Sequence, residues 1–330
     1  MSMPPSKTDR AASAPSGILG TGLVLLLAAF LLHAAVWILL PSLLEWSIRL
    51  DVAEGAIGGQ HWLPVYSRHP PFTLWLTEIA RLVGPLRYQA LYAIAQALAL
   101  GGLAGAVWVA ARAGGRTAAF LAVAMGLLSP YLTIYPLELN HNIGVLLFWG
   151  LTLAAAWSAF TSGRWWPWLL FGLAVGGGLW AKYAILHLVA GLGIAFLIVP
   201  AWRRQLATPG PWIAVLAGCI VIAPQVYVLA TRDASPLDWA VRTEARGLTH
   251  HLTSALAFVG ASLGAVVPMI AIAVAACPEP RRLVRSVRTL LFAPPSDTTG
   301  VFVTWAAVGP ILVVALAALL FGVDAKSHWL

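Results

Sequence analysis

Nine long apolar runs separated by short polar loops occupy most of this 330-residue chain, and they restrict it to one environment. A helix needs about 20 predominantly apolar residues to cross the hydrocarbon core of a bilayer. Runs of roughly that length fall at 17–40, 88–111, 116–134, 143–160, 166–180, 184–201, 212–230, 253–277 and 301–323. Run 166–180 is the shortest, and tilting or partial re-entry would accommodate it. With 60% hydrophobic and only 10% charged residues, the composition excludes an ordinary soluble domain. The expected fold is therefore all-α, a polytopic transmembrane helical bundle of about nine spans.

Charge is distributed unevenly over these runs. With the N-terminus placed in the cytoplasm, the inner segments hold Lys7, Arg10, Arg112, Arg116, Arg164, Arg203, Arg204, Arg281, Arg282, Arg285 and Arg288. Only Asp9, Glu279 and Asp297 oppose them, so the whole net charge of +8 lies on that side. The outer segments balance to zero. Cytoplasmic loops characteristically carry the excess of Lys and Arg, so an N-inside, C-outside topology follows. The same partition removes the nucleic-acid reading of a basic chain, because the cations are spread over several loops instead of forming one face.

Residues 1–16 are rich in Pro and Ser and are expected to be a disordered cytoplasmic N-terminus, ahead of one transmembrane domain over 17–330. The first apolar run lacks a clear small-residue cleavage site and reads as an uncleaved helix. Cys219 and Cys277 fall within or at the end of spans and read as free thiols. No fixed-period repeat, nucleotide-binding glycine motif or zinc-ligand spacing occurs.

The longest connection, the first outer loop at 41–87, is chemically the richest. Its stretches 42–58 and 71–82 mix apolar residues and charges at helical spacing, as interfacial helices do, with Trp46, Trp62 and Trp75 as anchors. Asp51 and Glu54 stand three apart, so a helix puts both carboxylates on one face. Pro70 and Pro71 force His69 into an extended backbone and fix its direction. Carboxylates so paired can act as a general base, can hold a divalent cation against a phosphate, or can be solvated loop charges. Spacing leaves these three open.

The segment Leu50-Asp51-Val52-Ala53-Glu54-Gly55, followed by Tyr66-Ser67-Arg68-His69-Pro70-Pro71, resembles the first outer loop of family 39 membrane glycosyltransferases. These are the GT-C enzymes that include protein O-mannosyltransferases and lipid A aminoarabinose transferases. The resemblance continues through Asn140, Asn142 and the stretch Gly172-Leu173-Ala174 to Trp180-Ala181-Lys182-Tyr183, and spans about residues 20–325. It implies a polyprenyl-phosphate sugar as donor and a hydroxyl on a glycan, lipid or protein as acceptor. It also implies a multi-pass protein of a bacterial inner membrane with a periplasmic site. Asp51 takes the place of the catalytic base, Glu54 that of a secondary acid, and His69 that of the basic residue near the lipid phosphate, with Arg68 beside it.

Glu138 and Asn140 could meet this site from the second outer loop, although Asn140 is equally suited to cap a helix. Lys182 lies at a span boundary, where a cation is either functional or a snorkelling anchor. The third outer loop offers Arg232, Arg242 and Arg246 without a means of choosing among them. The residues name no definite cofactor; a divalent ion is possible, and Asp51 and Glu54 could hold it. Relatives in this family generally continue beyond the Asp324–Leu330 tail, so a compact or truncated form is expected. A lipid or solute transporter, or an inactive truncated membrane scaffold, would show the same hydropathy.

Overall fold

The computed structural model describes residues 16–45, 47–66, 69–84, 87–231, 247–276, 281 and 297–321. All regular structure among them is helical, as expected for a polytopic bundle. The helices are α1 (Ser16–Leu44), α2 (Leu50–Gly59), α3 (Phe72–Leu82), α4 (Arg87–Leu127), α5 (His141–Ser162) and α6 (Trp166–Ala181). They continue as α7 (Ile185–Ile198), α8 (Pro200–Arg203), α9 (Pro209–Thr231), α10 (Leu248–Ala276) and α11 (Thr298–Phe321). Helices satisfy every internal backbone hydrogen bond within the segment, which is what a solvent without donors or acceptors demands.

Each of the nine apolar runs overlaps a helix, but nine spans are not established. Among the described residues, six helices are long and apolar enough to cross a membrane. A seventh arises if Ile185–Ile198 and Pro200–Ala207, bent by 97° where they meet, form one broken span. Trp166–Ala181 is a shorter apolar helix.

The expected run 88–111 and the first twelve residues of the run 116–134 lie within the single element α4, and its geometry shows why. Gly115 has φ 71° and ψ −159°, a backbone conformation essentially reserved for glycine. The chain reverses there. Gln96 Nε2 donates to the carbonyl oxygen of Leu132 at 3.2 Å, and a Cβ on Gly126 would sit 2.4 Å from a Leu103 methyl. Both pairs straddle Gly114–Gly115, so α4 is an antiparallel hairpin rather than a 41-residue rod. Its first leg lies against α5 with glycine on both sides. A Cβ on Gly150 would be 2.1 Å from the carbonyl oxygen of Gly102, so these backbones meet directly. Close approach of that kind replaces the hydrophobic effect, which lipid-exposed helices cannot use against one another.

The remaining spans pack in pairs, α6 on α9, α7 on α11 and α10 on α11. An aromatic cluster closes one end of the bundle. Phe160 stands 5.1 Å from Phe196 and 5.2 Å from Trp202, with Trp168 and Phe302 around them. His141 begins α5 and Phe160 lies near its other end, so roughly 30 Å of helix separates this plug from the loops at the opposite end.

The first loop forms α2 and α3; of the two expected amphipathic stretches, 71–82 matches α3 but for Pro71, whereas of 42–58 only residues 50–58 are in α2 and residues 42–44 complete α1. The two helices pack on each other through small residues; a Cβ on Gly59 would reach 2.2 Å from the Leu74 carbonyl oxygen. On α3 the Arg81 guanidinium makes two hydrogen bonds to the buried Glu78, at 2.6 and 2.7 Å. Those bonds hold the Glu78 carboxyl below its ordinary range. Cys219 is a free, exposed thiol on α9. Residues 1–15, Trp46, Cys277 and 322–330 lie outside the described residues.

The hairpin gives a direct test. Gly115→Ala should destabilise the protein by about 1–3 kcal/mol, since alanine is strained at that φ/ψ. Gly193→Ala in α7, where a Cβ meets nothing within 4 Å, should hold or raise stability. Thermal unfolding of the two variants in the same detergent checks this; equal midpoints would refute the turn.

Candidate functional site

At the loop end of the bundle, residues of α2, of α3 with the stretch before it, and of the start of α5 converge on one small cleft. Its lining includes Asp51, Glu54, His69, Thr73, Asn140 and His141. Asp51 occupies the first turn of α2 and is half-buried, whereas Glu54, one turn further on, is exposed. The spacing of three does place both carboxylates on the cleft, as the helical reading requires.

The second outer loop holds Asp51 at two points. The backbone N–H of Asp51 donates to Glu138 Oε1 at 3.1 Å. That N–H is one of the unpaired donors at the start of α2, so Glu138 supplies an anionic acceptor where the helix dipole favours one. Asn140 Nδ2 donates to Asp51 Oδ2 at 3.0 Å. The other side of the Asn140 amide caps α5, its Oδ1 accepting from the backbone N–H groups of Asn142 (3.0 Å) and Ile143 (3.3 Å). Capping and site membership are therefore the same act. Among the described residues, Asp51 Oδ1 accepts no hydrogen bond.

Lys182 follows the C-terminus of α6, in the short turn before α7. Its ammonium donates to Asn142 Oδ1, joining this turn to the start of α5. Burial alone pushes the Lys182 ammonium down to about 8. The next residues add buried polar atoms without hydrogen-bond partners, the Tyr183 hydroxyl and His187 Nδ1. Native proteins rarely leave such atoms unpaired unless water or a ligand serves them.

His69 stacks on His141, with ring centroids 4.0 Å apart and the planes inclined by 29°. Thr73, buried on α3, is hydrogen-bonded through Oγ1 to His141 Nδ1 at 2.7 Å. The Pro70–Pro71 pair is buried and leads into α3, so it sets where His69 points.

The structure thus brings together Asp51, Glu54, His69, Glu138 and Asn140, with Lys182 joined through Asn142. Arg68 and the arginines at 232, 242 and 246 lie outside the described residues. Thr73 and His141 escaped sequence reasoning. An isolated Thr on an amphipathic helix and a His after an Asn carry no spacing signal, although the run Asn140-His141-Asn142 is unusually polar for a span entrance. As for a divalent ion, among the described residues no group of three or more His, Cys, Asp or Glu side chains is placed to hold one. Asp51 and Glu54 are short of the oxygen-rich shell that hard cations take.

Residues 68–228 match the family model of dolichyl-phosphate-mannose-protein mannosyltransferases. The fold is similar to the crystal structure of ArnT from Cupriavidus metallidurans bound to undecaprenyl phosphate, with a TM-score of 0.56 and 16% sequence identity. That match covers 92% of this chain and 60% of ArnT, so the chain spans under two thirds of that protein's length. No curated protein sequence gives a significant match. The family 39 resemblance read from the loop motifs is borne out, and the chain has the GT-C fold.

The double role of Asn140 is testable. Asn140→Ala should cost about 0.5–2 kcal/mol through loss of the cap. Asn140→Asp should restore capping while setting a second carboxylate against Asp51, so stability returns and function does not. Thermal midpoints of the two variants decide it; no loss in Asn140→Ala would remove the cap from the account.

Proposed function

We propose that this protein transfers a sugar from a polyprenyl-phosphate donor to an acceptor hydroxyl at the outer face of the membrane. The observation that carries the reading is the convergence of Asp51 with a buried, electropositive turn at Lys182, two short side-chain links away. The family segment at 68–228 and the ArnT-like fold support the reading. ArnT is a protein crystallised with undecaprenyl phosphate, and the same lipid class is proposed as the carrier here.

In this mechanism Asp51 is the general base. Asn140 holds Oδ2, leaving Oδ1 to accept the proton of the acceptor hydroxyl as it attacks the anomeric carbon. Glu138 fixes the backbone behind it. The carbon–oxygen bond to phosphate breaks on the opposite face, so a single displacement inverts the configuration. Negative charge grows on the departing phosphate, and the Lys182 ammonium and His69 imidazole are the groups placed to stabilise it. Glu54, exposed on the same helix face, attracts the acceptor side of the cleft without taking the proton. The outward direction of the site follows from the charge partition, because the Asp51 loop belongs to the electroneutral set of segments.

Asp51→Asn should reduce transfer by about 10²–10⁴-fold, the span of general-base contributions, while binding of undecaprenyl phosphate stays near wild type. Transfer of labelled sugar in proteoliposomes measures it; full turnover by Asp51→Asn with loss in Glu54→Gln would move the base to Glu54. In sealed cells, a Gln60→Cys label should be reached from outside and a Ser162→Cys label from inside. The reverse pattern would invert the proposed sidedness.

Lys182 makes a pH prediction. With its ammonium held at about 8, phosphate affinity of the wild type should fall as pH rises through 8. Lys182→Arg, charged to beyond about pH 12, should lose nothing over that interval. Lys182→Met should bind weakly from pH 5.5 to 8, and wild-type affinity in that variant would reduce Lys182 to an interface anchor.

A further inference from the structure

The transfer reading leaves one feature of the cleft unused, the pairing of its two histidines. His69 and His141 come from the first loop and the start of α5, and both line the cleft with Asp51 and Glu54. Their rings lie 4.0 Å apart in a stacked arrangement. His141 is tied down from a third element: its Nδ1 is hydrogen-bonded to Thr73 Oγ1, and Thr73 is 1% exposed. Thr77 Oγ1 donates to the Thr73 carbonyl oxygen at 2.9 Å, one turn along α3. The His141 ring is thus held at its edge, and its face is given to His69.

Two imidazolium rings at that separation would repel strongly, whereas one imidazolium over one neutral ring is a favourable contact. The charged groups around the pair are Asp51 and Glu54 from α2, which line the same cleft, and Lys182 from the α6–α7 turn, whose charge acts on His141. The carboxylates favour a first proton, and Lys182 opposes a second.

We propose that the stacked pair takes up one proton, on His69, when a lipid phosphate binds beside it and delivers that proton to the departing phosphate, with His141 as the positioning residue that holds the His69 ring. This rests on the transfer reading above. When the bond from the anomeric carbon to the phosphate oxygen breaks, its electron pair stays on that oxygen, which takes the proton from His69. The bond from the acceptor oxygen to the anomeric carbon forms, and the acceptor proton passes to Asp51. One proton leaves the pair and one arrives at the carboxylate, so the step balances. Water recharges the pair and discharges Asp51 after the lipid phosphate leaves. Histidine suits this task because its ordinary pKa is close to the second pKa of a phosphate monoester.

The test is proton uptake when the full chain, in lipid nanodiscs, binds undecaprenyl phosphate at pH 7.5. Calorimetry in two buffers of different ionisation enthalpy gives the number of protons. Lys182 and the ligand contribute alike to all variants, so differences from wild type isolate the pair. The wild type should take up more protons than His69→Gln, and His69→Gln should bind about tenfold more weakly, as loss of a charge-assisted hydrogen bond predicts. His141→Phe, which keeps a flat ring, should match wild-type uptake with affinity within about threefold. His141→Ala, with His69 intact, should lose most of the extra uptake.

If His141→Ala does not fold, His141→Leu fills the volume without presenting a ring and replaces it. Uptake in His69→Gln equal to wild type overturns the proposal, as does wild-type uptake in the ringless His141 variant, which would leave His141 as packing alone. Failure of the wild type to bind the lipid phosphate at any pH would instead overturn the transfer reading itself.

Discussion

One side-chain amide holds the site and the fold to each other. A helix that enters hydrocarbon cannot leave its first backbone N–H groups unpaired, and at α5 the oxygen of Asn140 pairs two of them. The same planar group has its nitrogen directed the other way, onto Asp51 Oδ2. The requirement that ends one helix therefore aims the carboxylate on another. Because the amide is rigid, neither bond can be adjusted without disturbing the other. A loop residue at a membrane surface acquires in this way the precision of a helix terminus.

The rest of the cleft is built on that junction. Glu138, two residues earlier, closes the start of α2; Asn142, two residues later, receives the Lys182 ammonium. His141, between the two asparagines, stacks on His69 and is fixed by Thr73. Four polar residues within positions 138–142 thus reach three partner segments, α2, the stretch from His69 to Thr73 and the α6–α7 turn. The aromatic plug at the far end of the bundle anchors α5 against rotation, so the loop end can carry polar groups in place of packing.

The helices themselves come from a different balance. Inside lipid, apolar side chains give little reason for two helices to associate, so contact is made where backbones can touch. Gly102 and Gly150 do this between α4 and α5. Gly115 reverses α4 and brings its second leg back against the first. With larger side chains at these positions, the head of α5 would stand away from the first loop, and the amide of Asn140 would not reach Asp51.

By itself the sequence determined the helical class, the placement of the apolar segments and the shared helix face of Asp51 and Glu54. These properties are sums over local residues: transfer into hydrocarbon is nearly additive, and a spacing of three on a helix has one geometric meaning. The motif around His69-Pro70-Pro71 also pointed to the loop whose residues line the cleft. Only the tertiary structure decided that α4 and α5 meet backbone to backbone at Gly102 and Gly150, that Asn140 joins two helices 89 residues apart in the chain, and that His141 and Thr73 belong to the cleft. Those facts depend on how closely two backbones approach and at what angle. That is a property of packing between distant glycines and loops, and no local pattern of hydropathy encodes it.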